Sequence, residues 1–377
     1  MKFNVPCKSL YAAAAGVSKV ISQKNAMSIL DNFLLEVSGE TLTITGSDME
    51  NSLSTRVAIS DVEGELRFCV GARRLVDLLK ELPAQGITFE VDDTTYQVVI
   101  SYTGGKYTLV AINGADYPGF RQSDDDGDAP VSFVISGDKL VKGLENTTFA
   151  ASNDDFHPIM QGVYIDVHDN DITFVATDSH KLVRYIDRRI APGVTAACVM
   201  PMKPCNVLKA VVNKDEDLKV TMTKKNATIE SDSITFRCTF LNGRYPDYNK
   251  VIPQNYPYTM TIDRASFLNA VRRVGIFVDP GFGLMKFRIT PQTIFLKCDD
   301  VNLCTTAREQ VPCSYDGAEL AIGFSSPFLI EILQTLATDQ VEVKFADQGR
   351  PGLFSPGESE EGVEMLVLLM PINIDGF

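Results

Sequence analysis

Apolar residues recur along this chain at helical spacing in only a few places. Leu10, Ala14, Val17 and Ile21 fall at i, i+4, i+7 and i+11, the stripe of an amphipathic helix. The same stripe returns at Leu140, Leu144, Thr147 and Ala151, and again at Phe267, Val271, Val274 and Val278. A second helix is predicted later each time, over Ala72 to Leu82, Met202 to Val212 and Ser326 to Ala337, the last with an apolar face at Ile332, Leu333 and Leu336. Everything between is short and strand-like, as in Phe33 to Val37, Tyr96 to Ile100 and Leu218 to Met222, where β-branched and aromatic residues dominate. Each unit therefore reads as α+β, with two helices and roughly eight strands, the helices packed on one face of an antiparallel sheet.

The pattern is a repeat. Leu42-Thr43-Ile44-Thr45-Gly46-Ser47-Asp48 returns 130 residues later as Ile172-Thr173-Phe174-Val175-Ala176-Thr177-Asp178, and 122 further on as Ile294-Phe295-Leu296-Lys297-Cys298-Asp299-Asp300. Upstream blocks at Phe3, Phe133 and Met260 keep the same order, as do apolar segments starting near Leu75, Val207 and Leu329. Short-repeat solenoids have units of ~20–50 residues and are excluded. A unit of this length buries its own core, so the chain is three copies of one domain, over 1–122, 130–250 and 257–377. The joints, Tyr117-Pro118-Gly119 to Pro130 and Tyr245-Pro246-Asp247 to Pro257, carry turn residues. The acidic run Ser123 to Asp128 lacks the alternating register of a calcium loop and reads as solvated linker.

Composition, with 45% hydrophobic and 22% charged residues, fits a folded core. No apolar run approaches the ~18 residues of a membrane helix, and the patterning begins at Phe3 and Val5, so neither membrane partner nor signal peptide is expected. The eight cysteines form no C-x-x-C pair and do not recur between repeats, which leads us to expect reduced thiols, a cytosolic protein, and no metal or other cofactor. Asp178-Ser179-His180 collects three triad residue types in one stretch, but adjacent side chains diverge and triads assemble from distant segments. With three histidines, no H-E-x-x-H and no P-loop, no catalysis is expected.

A net charge of −14 argues against a nucleic-acid partner until it is resolved by element. The six helical windows together carry +9, which leaves −23 for the rest of the chain. Lys19, Lys142, Arg272 and Arg273 point away from their own apolar stripes at 100° per residue. Modules that close into a ring with helices inside would present those cations to phosphates without reading bases. A peptide-binding scaffold that never encircles DNA is the rival reading.

The chain resembles the bacterial DNA polymerase III β subunit family, the sliding clamps. The likeness rests on Ser28-Ile29-Leu30-Asp31-Asn32-Phe33-Leu34-Leu35-Glu36-Val37, Gly46-Ser47-Asp48-Met49-Glu50, Ala176-Thr177-Asp178-Ser179-His180-Lys181-Leu182, Asn242-Gly243-Arg244-Tyr245-Pro246-Asp247-Tyr248 and Leu369-Met370-Pro371-Ile372, spread over nearly the whole length. The resemblance implies a head-to-tail homodimeric ring around double-stranded DNA, in the bacterial cytoplasm at the nucleoid. It implies as partners the polymerase catalytic subunit, the clamp-loader complex and other replication and repair proteins. It places DNA-touching cations at Lys24, Arg73 and Lys203, and the dimer interface at Tyr107, Leu109, Ile276 and Phe277. A partner-peptide pocket is implied between modules two and three. Met160, Thr177, Leu182, Pro246, Val251 and Leu368 belong to it, together with Met370, Pro371 and Ile372, and His180, Lys181 and Lys250 are expected as its polar rim. Four features depart from the family: Ser179 replaces the usual glycine, Asp154 replaces a neutral polar residue, 347–362 reads as a Gly/Pro-rich loop, and Asn373 to Phe377 extend past the usual end.

Overall fold

The computed structural model describes residues 1–120, 129–278, 283–300 and 305–377. The acidic run at 123–128, the side chain of Asp300 and Cys304 lie outside the described residues.

Seven α-helices are described: α1 (Cys7–Ser18), α2 (Ala72–Glu81), α3 (Gly137–Glu145), α4 (Met202–Val211), the single turn α5 (Tyr248–Val251), α6 (Arg264–Gly275) and α7 (Ser326–Thr335). Each repeat has its two long helices, and each leading helix is shorter than its stripe. Ile21, Thr147, Ala151 and Val278 all lie beyond a helix end. In α1 the last turn tightens, with the Lys19 amide donating to the Gly16 carbonyl and the Val20 amide to the Val17 carbonyl. After α3 the run Asn146-Thr147-Thr148 bonds its own backbone: Thr147 Oγ1 donates to the Gly143 carbonyl at 2.7 Å, and the side chain is buried without being helical. Helix α2 stops at Glu81 because Pro83 pushes Leu82 to an extended conformation.

The compact units do not follow the repeats. One comprises residues 1–141 with 203–240, the other 142–202 with 241–377. The reason is strand pairing across repeat boundaries. In the first unit Ile234–Thr239 of repeat two pairs with Asn51–Ala58 of repeat one, Phe236 opposite Leu53, which builds a nine-stranded sheet. In the second, Lys181–Asp187 pairs with Val363–Leu369 of repeat three, Leu182 opposite Leu368, within a twelve-stranded sheet. Every pairing among the described residues is antiparallel. The segment 347–362 is not all loop, because Gly352–Pro356 forms a strand between Gln340–Phe345 and Val363–Leu369.

The apolar stripes do become core. Leu10, Ala14 and Val17 of α1 and Phe267, Val271 and Val274 of α6 are buried, and α1 packs beside α2 as α6 does beside α7. Gly46 of the repeated block sits under α1, where a Cβ would come within 2.8 Å of Val17 Cγ1. None of the seven described cysteines is in a disulfide, six of them are buried, and burial pushes the Cys69 thiol up to about 11 and the Cys238 thiol to about 12. No helix among the described residues is long and apolar enough to cross a membrane, and no metal-binding cluster is found among them.

Candidate partner groove and charged surfaces

The repeated block ends in the same turn twice. Asp48 Oδ1 accepts the amides of Glu50 and Asn51, and Asp178 Oδ1 accepts those of His180 and Lys181. The hydroxyls of Ser47 and Thr177 cap the two turns identically, each donating to the carbonyl four residues on. The turn demands a positive φ at its second residue, and Met49 takes +79° and Ser179 +74°. Ser179 thus adopts the conformation its missing glycine would favour.

All twelve expected pocket residues fall in the second compact unit. Leu182 and Leu368 lie side by side on paired strands and are almost fully buried with Val175, Tyr245, Tyr248, Ile252 and Leu353, so they are floor and not contact surface. Thr177 is buried by its cap bond. Met160 reaches the turn through Ser179, whose Oγ lies 3.6 Å from its sulfur, and the Met370 amide donates to the His180 carbonyl at 2.8 Å. Val251 and Met370 are exposed large apolar side chains, while Pro246 and Pro371 are half-buried. Pro246 and Val251 flank Tyr248 on the α5 segment, which reaches the same cluster through Tyr245, Tyr248 and Ile252. Lys250 is exposed and pairs with Asp247 at 2.9 Å, its hydrogen bond holding that carboxyl below the usual carboxylate range. The Ile372 amide donates to the Gly323 carbonyl at 2.8 Å, and the residue is half-buried.

Lys181 is not a rim residue. It is 4% exposed, its ammonium held by Asp178 at 2.8 Å and Glu331 at 3.1 Å and set over the Phe328 ring at 4.0 Å. A buried ammonium needs such partners; Lys181 opens a strand whose first three residues are all buried, whereas His180 stays in the exposed turn before it. The His180 ring stacks on the same Phe328 at 6.1 Å. Phe328 and Glu331 of α7 were not among the predicted residues, although Glu331 is the lone acid on that helix.

The predicted cations divide by what they touch. Lys19, Lys24 and Arg272 are exposed, with no side-chain partner among the described residues, and Arg73 is fully extended into solvent with only a 4.0 Å approach to Asp77. Others are engaged. Lys203 pairs with Asp48 and also donates to Ser22, Arg273 grips Glu309 through two nitrogens, and Lys142 lies 3.6 Å from Glu360. Asp154 turns its carboxylate on its own loop, accepting the Phe156 amide and meeting His157, and these bonds hold its carboxyl below the usual range. Glu364 is also held low: desolvation pulls it up, but Arg188 and Arg184 outweigh that.

Two unpaired strand edges lie beside the expected interface residues. Gly105–Val110 pairs only with Gln97–Tyr102 and ends its five-stranded sheet, with Tyr107 and Val110 exposed and Leu109 half-buried. Along Thr305–Tyr315, residues up to Pro312 pair on one side with Thr293–Asp300, and only from Cys313 does Tyr258–Asp263 cover the other. Ile276, 79% exposed, and Phe277, 40% exposed, follow α6 in the same unit.

Three tandem α+β modules whose sheets run on from one repeat into the next define a DNA-clamp fold. The chain belongs to the DNA polymerase III beta subunit family, matching its N-terminal domain over residues 1–121, its central domain over 134–247 and its C-terminal domain over 249–371. It is 23% identical to the beta sliding clamp of Pseudomonas aeruginosa over 376 residues, covering 99% of this chain and 100% of that one. The Staphylococcus aureus beta sliding clamp is 23% identical over 360 residues, 93% of this chain and 94% of the relative. Among solved structures, the Pseudomonas aeruginosa sliding clamp superposes with a TM-score of 0.92 at 23% identity, covering 99% of this chain and 100% of that one. The beta subunit from DNA polymerase of Streptococcus pyogenes gives 0.91 at 23%, with the same coverage.

Proposed function

We propose that this chain is a non-catalytic sliding clamp: two copies join head to tail into a ring around double-stranded DNA and tether the replicative polymerase for processive synthesis. Membership of the family across all three repeats is the observation that carries this reading. Two unpaired strand edges beside the expected interface support the ring. An unpaired strand edge is a template for strand addition, and joining Gly105–Val110 of one copy to Thr305–Pro312 of a second would satisfy both while covering Tyr107, Leu109, Ile276 and Phe277. The exposed cations Lys19, Lys24, Arg73 and Arg272 meet phosphates, which explains how a chain of net −14 holds DNA without reading sequence.

Polymerase, clamp loader and other replication and repair proteins dock at the groove beside the Asp178 turn. There Met370, Val251, Pro246 and Pro371 offer apolar anchoring over the Leu182–Leu368 floor, and His180 lies at the rim. An extended peptide with a few apolar anchors fits such a surface. Primer extension on a long template with cognate polymerase and loader tests the reading: added protein lengthens the product of a single binding event. Unchanged product length, with partner binding intact, favours the scaffold that never encircles DNA.

A further inference from the structure

Each repeat is left by an exit segment that crosses the same strand at the same place. Ile112 pairs with Cys69, the Leu241 amide donates to the Val199 carbonyl, and the Ile372 amide donates to the Gly323 carbonyl. Cys69, Val199 and Gly323 each stand three residues before the second helix of their repeat. Each crossing residue is followed by an asparagine, Asn113, Asn242 and Asn373, and four or five residues on comes an aromatic, Tyr117, Tyr245 and Phe377. Tyr117 packs with Leu34 and Cys69, and Tyr245 stacks on Tyr164 at 4.9 Å. After the first two repeats this segment is a linker to the next module. In the third repeat the segment keeps the same crossing.

The third copy is built for its place. Gly323 stands where the other repeats carry Cys69 and Val199, and a Cβ there would come within 2.6 Å of Ile374 Cγ2 and 2.7 Å of the Ile372 carbonyl oxygen. Lys286, the strand partner of Gly323, donates to the Gly376 carbonyl at 3.0 Å. Arg288, two residues along, is covered by Phe295 at 4.7 Å and by Phe377 at 5.0 Å. Its Nε is buried with no hydrogen-bond acceptor among the described residues, so the ring faces are what meets that edge of the guanidinium.

We propose that residues 372–377 are a strap that fixes the groove wall, with Phe377 stacked on Arg288 as its latch, so that the strap sets the affinity for partner peptides. The inference rests on the groove assigned above. Met370 is tied to His180 on one side and, through Pro371, to the Ile372–Gly323 bond on the other. Releasing the second tie leaves the Met370 side chain to be ordered when a partner binds, and that ordering subtracts from affinity. Residues 372–377 lie beyond the span matched by the family's C-terminal domain.

The test measures binding of the full-length protein to the immobilised catalytic subunit of its cognate polymerase. Removing residues 373–377, or Phe377→Ala, should weaken binding about fivefold or more, the scale of one cation–π contact expressed as affinity. Phe377→Trp should restore it. Arg288→Ala should weaken binding equally and add nothing to Phe377→Ala, while sedimentation shows every variant dimerising as the parent does. Wild-type affinity for Phe377→Ala, in a preparation where Met370→Ala abolishes binding, overturns the strap. Wild-type affinity for Met370→Ala overturns the groove itself, and the strap's role with it.

Discussion

The ammonium of Lys203, at the start of α4 in the second repeat, lies 2.5 Å from a carboxylate oxygen of Asp48, at the end of the repeated block in the first. Asp48 also closes its turn through the Glu50 and Asn51 amides, so one carboxylate fixes a hairpin and a neighbouring helix together. Lys203→Ala should cost about 1–2 kcal/mol of stability by leaving the nearly buried Asp48 charge without its partner. Denaturant unfolding measures this, with Asp48→Asn for comparison. An unchanged midpoint for Lys203→Ala would mean that Lys203 is free for other work.

For the same reason the cations should not act equally on DNA. Lys24→Ala, Arg73→Ala and Arg272→Ala remove charges that face solvent, and each should lower the log–log salt slope of DNA residence by about 1, whatever the sequence. Arg273→Ala should change it less, because Glu309 already neutralises that guanidinium. Titrating salt against residence on loaded circles separates the two groups. Equal effects for Arg272 and Arg273 would count against this division.

Ring closure has its own measurable cost. Ile276 and Phe277 leave large apolar surface in water in the single chain, and burying such side chains is worth about 1.5–3 kcal/mol each. Ile276→Ala with Phe277→Ala should therefore yield monomers at concentrations where the parent is dimeric. Sedimentation equilibrium shows whether it does, and a dimer that persists on dilution would place the interface elsewhere.

Ser179 offers a test of backbone strain. A non-glycine residue at φ +74° costs about 1–3 kcal/mol, partly offset in a glycine variant by the greater freedom of the unfolded chain. Ser179→Gly should stabilise the protein by a net ~0.5–1 kcal/mol in thermal unfolding. A β-branched Ser179→Val should destabilise it. Stabilisation by valine would show that the turn is not strained.

Periodicity made the helices legible, because Leu10, Ala14 and Val17 encode a buried face locally. It overran their ends at Ile21, Thr147 and Val278, where turn hydrogen bonds override an apolar stripe that continues past the helix. The tandem repeat was readable from sequence, but its division into compact units was not, since Phe236 against Leu53 and Leu182 against Leu368 are long-range pairings with no local trace. In the groove, the family resemblance named Met370 and Val251 but not Phe328 and Glu331. Whether Lys181 faces water depends on Asp178 in its own turn and on Glu331 of a helix 150 residues away in sequence. The strand at Gly352–Pro356 escaped because the glycines and prolines in and around it, from Gly349 to Gly357, read as loop, and its pairing on both sides outweighs them.

The central claim is topological, and linearising a loaded circle tests it most directly. A ring held by encirclement stays on closed circular DNA after loading and slides off once the circle is cut. The account predicts rapid loss from the linear product with free ends, and retention when both ends are blocked by bound protein. Equal persistence on linear DNA with open ends would contradict it.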